Sequence, residues 1–205
     1  MIVNIVSWLF VVLMLAAAAI LLVNRDWRFQ LGALAFQYLA AFWLVTRHLP
    51  LSMSAAKLVT GWMVVAALGM TRLSLAENIE DQNTSSSPYE RSFPLILIGI
   101  VVIVTAGVTP RIEAVIPGIG LPVIAGSLLL IGTGLIQLGI TANVLRVILG
   151  LLSMLIGFEI IYAAVESSIL VAGLLAITNM GLGLAGSYLL IADSDSPSSG
   201  QEERS

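Results

Sequence analysis

Long apolar runs alternate with short polar breaks along this chain, and the run lengths set the expected elements. A membrane-crossing helix needs about 20 consecutive, mostly apolar residues. Seven stretches approach that length: 2–23, 30–47, 51–74, 94–109, 120–142, 144–165 and 168–192. The expected fold is therefore all-α, a polytopic integral membrane helix bundle of about seven transmembrane helices. The second and fourth runs are short, which leaves open six helices plus one tilted or re-entrant piece. Pro50, Pro88, Pro94, Pro110, Pro117, Pro122 and Pro197 fall in connections, at run starts or in the tail. That distribution matches uninterrupted helix interiors.

The polar segments divide the chain further. "LAENIEDQNTSSSPYERS", residues 75–92, closes an N-terminal three-helix membrane region with its polar loop, residues 1–92. Residues 93–192 form a four-helix membrane region, and 193–205, "DSDSPSSGQEERS", read as a disordered tail. "TPRIEAVIPGIGLP" is expected as a short interfacial helix or loop, with Arg111 and Glu113 at headgroup level. The first run has no basic residue before it and is about 20 residues long. It reads as a membrane helix, since a signal-peptide core is shorter.

Composition strengthens this picture. The chain is 59% hydrophobic and 10% charged, whereas a soluble domain carries about 25% charged and roughly 45–50% apolar residues. Its mean hydropathy of +1.03 agrees. No segment is basic enough to support nucleic-acid binding. The absence of cysteine excludes disulfides, thiolate metal sites and iron–sulfur clusters. His48 is the single histidine, so the chain cannot ligate haem through a histidine pair. "GIGLP" and "GTG" lack the polar context of a phosphate loop, and no hydrolase constellation is present. No cofactor is expected. Arg25, Arg28, Arg72, Arg91 and Arg146 fall on one side of the seven-span arrangement, and Arg47 and Arg111 on the other. The positive-inside rule makes the first side cytoplasmic, with the N-terminus outside and the C-terminus inside. The host membrane is expected to be an inner (cytoplasmic) or energy-transducing one.

The candidate chemistry lies in the charges within the apolar runs. A charge at the centre of a membrane helix costs about 2.5–3.5 kcal/mol on insertion scales and is kept where it faces a cavity or a partner. Glu159, in "SMLIGFEIIYAA", and Lys57, in "SMSAAKLVTGW", are the two such positions. Desolvation disfavours the charged form of a carboxyl group, which lets such a group load and release a proton near neutral pH, as a relay requires. The alternative for Glu159 is a structural acid that locks helix packing. Glu166 stands seven residues beyond Glu159, which on a helix is the same face about 10 Å further along. It reads as a solvated helix-end acid or as a second station. Lys57 is only about 9 Å from the start of its run. It either snorkels to the interface or pairs with an acid. Asn179, in "AITNMGLG", is polar in mid-span and reads as a hydrogen bond to a neighbouring helix or as part of the path. Gly173, Gly181, Gly183, Ala185 and Gly186 around it suggest a helix enclosed by protein on both sides.

These stretches also carry a resemblance. "LLSMLIGFEIIYAA" resembles the second membrane helix of the K subunit of bacterial complex I, whose glutamate lies in a proton path. "LPVIAGSLLLIGTGLIQLGITANVLR" and "LVAGLLAITNMGLGLAGSYLL" are similar to the helices before and after it in that family. They are similar as well to the C subunit of multisubunit cation/proton antiporters. The likeness covers about residues 120–192. The family's second glutamate, in its last helix, has no counterpart here, where Thr178, Asn179 and Gly181 stand. The layout of the whole chain is most similar to the membrane E component of hydrogenase-4 and formate hydrogenlyase-type complexes. "FQLGALAFQYLAAFWL" and "SAAKLVTGWMVVAALGMTRLSLAENI", with its Lys57, correspond to that component's second and third helices, and "NVLRVILG" to its later basic connection. The resemblance implies a membrane subunit that moves protons and performs no redox chemistry itself. It implies a proton path that includes Glu159, with Lys57 at a matching lysine; Glu166 and Asn179 join the candidate path from their own positions in the apolar runs. The implied partners are antiporter-like multi-helix subunits and other small membrane subunits, in lipid and without nucleic acid. Two other readings stand beside it: a structural or assembly subunit, and a free-standing small transporter.

Overall fold

A computed structural model describes residues 2–76, 88–166 and 168–194. The disordered tail was expected from residue 193, but the last helix includes 193 and 194; the tail from 195 on and most of the 75–92 polar loop lie outside the described residues. Seven helices follow in order: α1 (Ile2–Val23), α2 (Trp27–Val45), α3 (Leu51–Ala76), α4 (Pro88–Val115), α5 (Leu121–Ile140), α6 (Val144–Val165) and α7 (Ile169–Ser194). Among the described residues there is no strand. Six of the helices are long and apolar enough to cross a membrane, and α2 is the exception.

The starts of the helices are written locally. Asp26 caps α2 by accepting a hydrogen bond from the Arg28 N–H at 3.0 Å. Asn143 does the same for α6 with Arg146. Side-chain caps of this type satisfy N–H groups that a helix start leaves open. The turn into α5 needs two left-handed glycines, Gly118 (φ 100°) and Gly120 (φ 92°). Glu113 holds that turn, its two carboxylate oxygens accepting from the Gly118 N–H at 3.3 Å and the Gly120 N–H at 3.0 Å.

Two of the expected spans differ from the sequence reading. The fourth is not short: α4 has 28 residues and contains both Pro94 and Pro110. Arg111 and Glu113 therefore belong to its last turns, where a short separate interfacial helix or loop was expected. Proline removes one backbone donor and crowds the preceding turn, and α4 tolerates this at both of its ends. The second span begins three residues earlier than its hydropathy suggests, at Trp27, and ends at Val45. It fails as an apolar span because Arg28, Gln30, Gln37 and Tyr38 lower its hydropathy. It packs against α1, α3, α5 and α6, and buries Gln30, Gln37 and Tyr38 together with Leu31, Leu34 and Leu44. At 19 residues it is about 28 Å long, close to the roughly 30 Å of a bilayer's hydrocarbon.

Around α2 the pairing of α5 with α6 is the most extensive. Glycines allow it: a Cβ on Gly157 would lie 2.7 Å from the Ser127 carbonyl oxygen, and one on Gly134 would lie 2.7 Å from that of Gly150. Small residues are what bring membrane helices to this separation. α7 packs on α3 through Gly183, against Val64, and on α6 through Gly186, against Ile148. It is not enclosed on both sides, as its glycines suggested. Gly173 and Gly181 meet nothing, and Ile177, Leu184 and Tyr188 are exposed. The N-terminal and C-terminal helices form one bundle, since α2 packs on α6 and α3 on α7.

Candidate functional site

Short connections make consecutive helices antiparallel, so the ends sort into two sides. Arg47, at the end of α2, donates to Ser7 Oγ near the start of α1 at 3.0 Å. At the opposite side the Arg146 guanidinium donates to the Asn24 carbonyl at 3.0 Å. One side thus holds Arg47, His48, the Glu113 turn and Glu166. The other holds Asn24, Arg25, Arg28 and Arg146.

Lys57 lies six residues into α3, and Glu159 six residues before the end of α6. Both are about 9 Å along the axis from the same side, so they stand at one level. Lys57 Nζ approaches Glu159 Oε2 at 3.6 Å, and the side chains are only 11% and 9% exposed. Lys57 does not snorkel out; it turns inward to the acid. The separation exceeds the 2.7–3.2 Å of a well-formed N–H···O bond, so this is an ion pair with slack. Removing two charges from water is expensive, and mutual attraction repays that only in part. A pair in this setting is thus poor evidence of stabilisation.

Asn179, 2% exposed, is reached from α2. The Tyr38 hydroxyl donates to its Oδ1 at 2.7 Å. Tyr38 also borders the small cavity shared by Lys57 and Glu159. Its ring occupies the space that a side chain on Gly61 would fill, one turn beyond Lys57 on the same face of α3. Four helices therefore converge on one group of side chains: Tyr38 from α2, Lys57 from α3, Glu159 from α6 and Asn179 from α7. Of the four sequence candidates, three meet here and Glu166 does not. α6 ends at Val165, and Glu166 is its exposed C-cap in extended conformation (φ −136°, ψ 131°). The shared helical face expected for Glu159 and Glu166 stops one residue short, because the chain turns there into α7.

Sequence reasoning missed Tyr38, and with it a second polar contact. The Ser153 hydroxyl donates to Gln37 Oε1 at 2.8 Å between α6 and α2. Gln37 Nε2 is buried without a partner among the described residues. Gln30 and Gln37 are spaced by seven in α2, as are Arg146 and Ser153 in α6, so each pair lines one helical face. That spacing was the available signal. Further along the seam Gln137 Nε2 donates to the Arg146 carbonyl at 3.0 Å, and Gln30 Nε2 to the Asn24 carbonyl at 2.6 Å.

His48 lies in the connection between α2 and α3, outside the spans. Burial pushes its imidazole below the ordinary value; a hydrogen bond with the Ile119 backbone opposes that and the Arg47 charge adds to it. It favours the neutral ring. Among the described residues no group of three His, Asp or Glu side chains converges as a metal site would. No protein-family model, curated protein or solved structure matches this chain.

Proposed function

We propose that this chain is a membrane subunit of a complex I-like, hydrogenase-like or cation/proton antiporter-like assembly, in which Lys57 and Glu159 form a station on a proton path. The observation that carries this reading is the 3.6 Å approach of Lys57 to Glu159 in the bundle interior. The two ionisable residues that the apolar runs single out come from helices far apart in sequence. Intramembrane ionisable residues are expensive and mark ion pathways by default. The pair can hold one mobile proton in two ways, as ammonium with carboxylate or as amine with carboxylic acid. A change in a neighbouring charge shifts the balance between those forms, which is how such a station passes its proton on.

The outward faces leave room for a subunit role. α3, α4 and α7 are each only 22% buried over their spans, against 56% for α5 and α6. Ile103, Leu170 and Met70 are more than two-thirds exposed. Those faces suit lipid and flanking membrane subunits alike. The proposed membrane is the inner or another energy-transducing one, with the N-terminus outside and the Arg25, Arg28 and Arg146 side cytoplasmic.

The test has two steps. Native membranes are solubilised gently, and the species that co-migrate with the full chain on a native gel are identified by mass spectrometry. A large assembly with a many-helix antiporter-like subunit is expected, whereas a lone small band would leave a free-standing transporter. Glu159→Gln, which keeps the shape, is then placed in that assembly. Proton coupling is expected to fall at least tenfold with the assembly intact. Undiminished coupling would make Glu159 a structural acid.

A further inference from the structure

The cavity beside the ion pair has a direction. It reaches from Tyr38, Lys57 and Glu159 to Val45 and Ser54. Val45 is the last residue of α2, and Ser54 is in the first turn of α3 with its hydroxyl on the Pro50 carbonyl. The cavity therefore ends directly beneath the connection that carries Arg47 and His48. Its volume is about 10 Å³, at the lower limit of what one water needs. In the opposite direction tight packing surrounds the polar contacts of Gln37 with Ser153 and of Gln30 with Asn24. Leu34, Leu68, Leu149 and Leu152, all nearer the Arg146 side, are fully buried. Tyr38 stands at the boundary, its ring seated against Gly61 and its hydroxyl held by Asn179.

We propose that Tyr38 is the floor of the proton station. Seated on Gly61 and anchored on Asn179, it closes the Lys57–Glu159 pair off from the Arg146 side, so that Glu159 exchanges protons only with the His48 side until the ring moves. The inference rests on the reading of that pair as a proton station. It accounts for features that reading leaves unused. Gly61 is required because any side chain there would overlap the ring. The next polar contact on the far side is Gln37 with Ser153, where a fully buried Gln37 Nε2 has no partner among the described residues. Tyr38 is thus a positioning residue, acting on access to Glu159 and not on its chemistry.

The full chain, in whatever assembly it purifies with, is reconstituted into vesicles. Passive proton entry is driven by a potassium diffusion potential and read with an internal pH dye. The wild type is expected to be tight, and Tyr38→Phe, which keeps the ring on Gly61 but loses the Asn179 anchor, to leak at a rate between the wild type and Tyr38→Ala. Tyr38→Ala is expected to leak at least tenfold faster, and Tyr38→Ala with Glu159→Gln to return to wild-type tightness. Gly61→Ser, which displaces the ring from α3, gives the same two arms should Tyr38→Ala fail to fold. Folded Tyr38→Ala or Gly61→Ser vesicles as tight as wild type would overturn the proposal. So would a leak that survives Glu159→Gln, since protons would then bypass the pair. Failure of the station reading shows up elsewhere, as undiminished coupled turnover in Glu159→Gln alone.

Discussion

Lys57 and Glu159 are each other's main compensation, which sets how they respond to substitution. Removing one partner leaves a buried charge unpaired, at a cost of about 3–5 kcal/mol, whereas replacing both with uncharged residues of similar volume is often neutral. Lys57→Met and Glu159→Gln are each expected to lower thermal stability in detergent. The double variant is expected to recover most of that loss while proton transport stays absent. Recovery of both together would mean that the pair only holds helices together. These two residues were legible in the sequence because a charge inside an apolar run has few explanations. Tyr38 was not, because an aromatic residue in a membrane helix is ordinary until its hydroxyl is seen to reach Asn179. Gly61 was silent for a related reason: what matters there is a missing side chain, and its use depends on a ring from another helix. Glu166 misled because a spacing of seven implies a shared face only while the helix continues, and α6 ends at Val165.

At the level of elements, apolar length located the helices and contact decided their roles. α1 and α6 begin and end where their apolar runs do. α2 escaped the hydropathy criterion because Arg28 and two glutamines lower its average, and Gln30 and Gln37 are tolerated because they are buried against protein. α4 was underestimated because its prolines were read as boundaries, whereas the helix passes through both. Glycine separates the two kinds of helix contact most sharply. A Cβ on Gly157 meets backbone, the Ser127 oxygen at 2.7 Å and the Ile131 nitrogen at 3.0 Å, and neither can rotate away. Gly157→Ala is expected to destabilise by about 1–3 kcal/mol, as overpacking does. Gly173→Ala, on the open face of α7, is expected to be neutral or to stabilise by up to about 1 kcal/mol through helix propensity. Thermal unfolding of the two variants side by side checks the contrast. Equal effects would mean that α5 and α6 are not in close contact.

For the molecule as a whole, sidedness ties the parts together, and the absence of cysteine makes it directly measurable. Single cysteines at Arg28 and Asp193 are expected to react with an impermeant thiol reagent only in inside-out vesicles. Cysteines at Arg111 and Glu166 are expected to react only in right-side-out ones, all four residues being at helix ends. The reverse pattern would invert the membrane orientation and leave the bundle unchanged, because packing does not depend on which side carries the basic residues. From sequence alone came the all-helical membrane class, the approximate helix positions and the identity of the two interior charges. Those follow from the cost of placing backbone and charge in hydrocarbon, which acts on each segment separately. Only the tertiary structure decided that α2 packs on α1, α3, α5 and α6, that Lys57 faces Glu159, and that Tyr38 and Gly61 stand between that pair and the Arg146 side. These depend on which faces meet across four helices, a relation between distant residues that no single run of the chain contains.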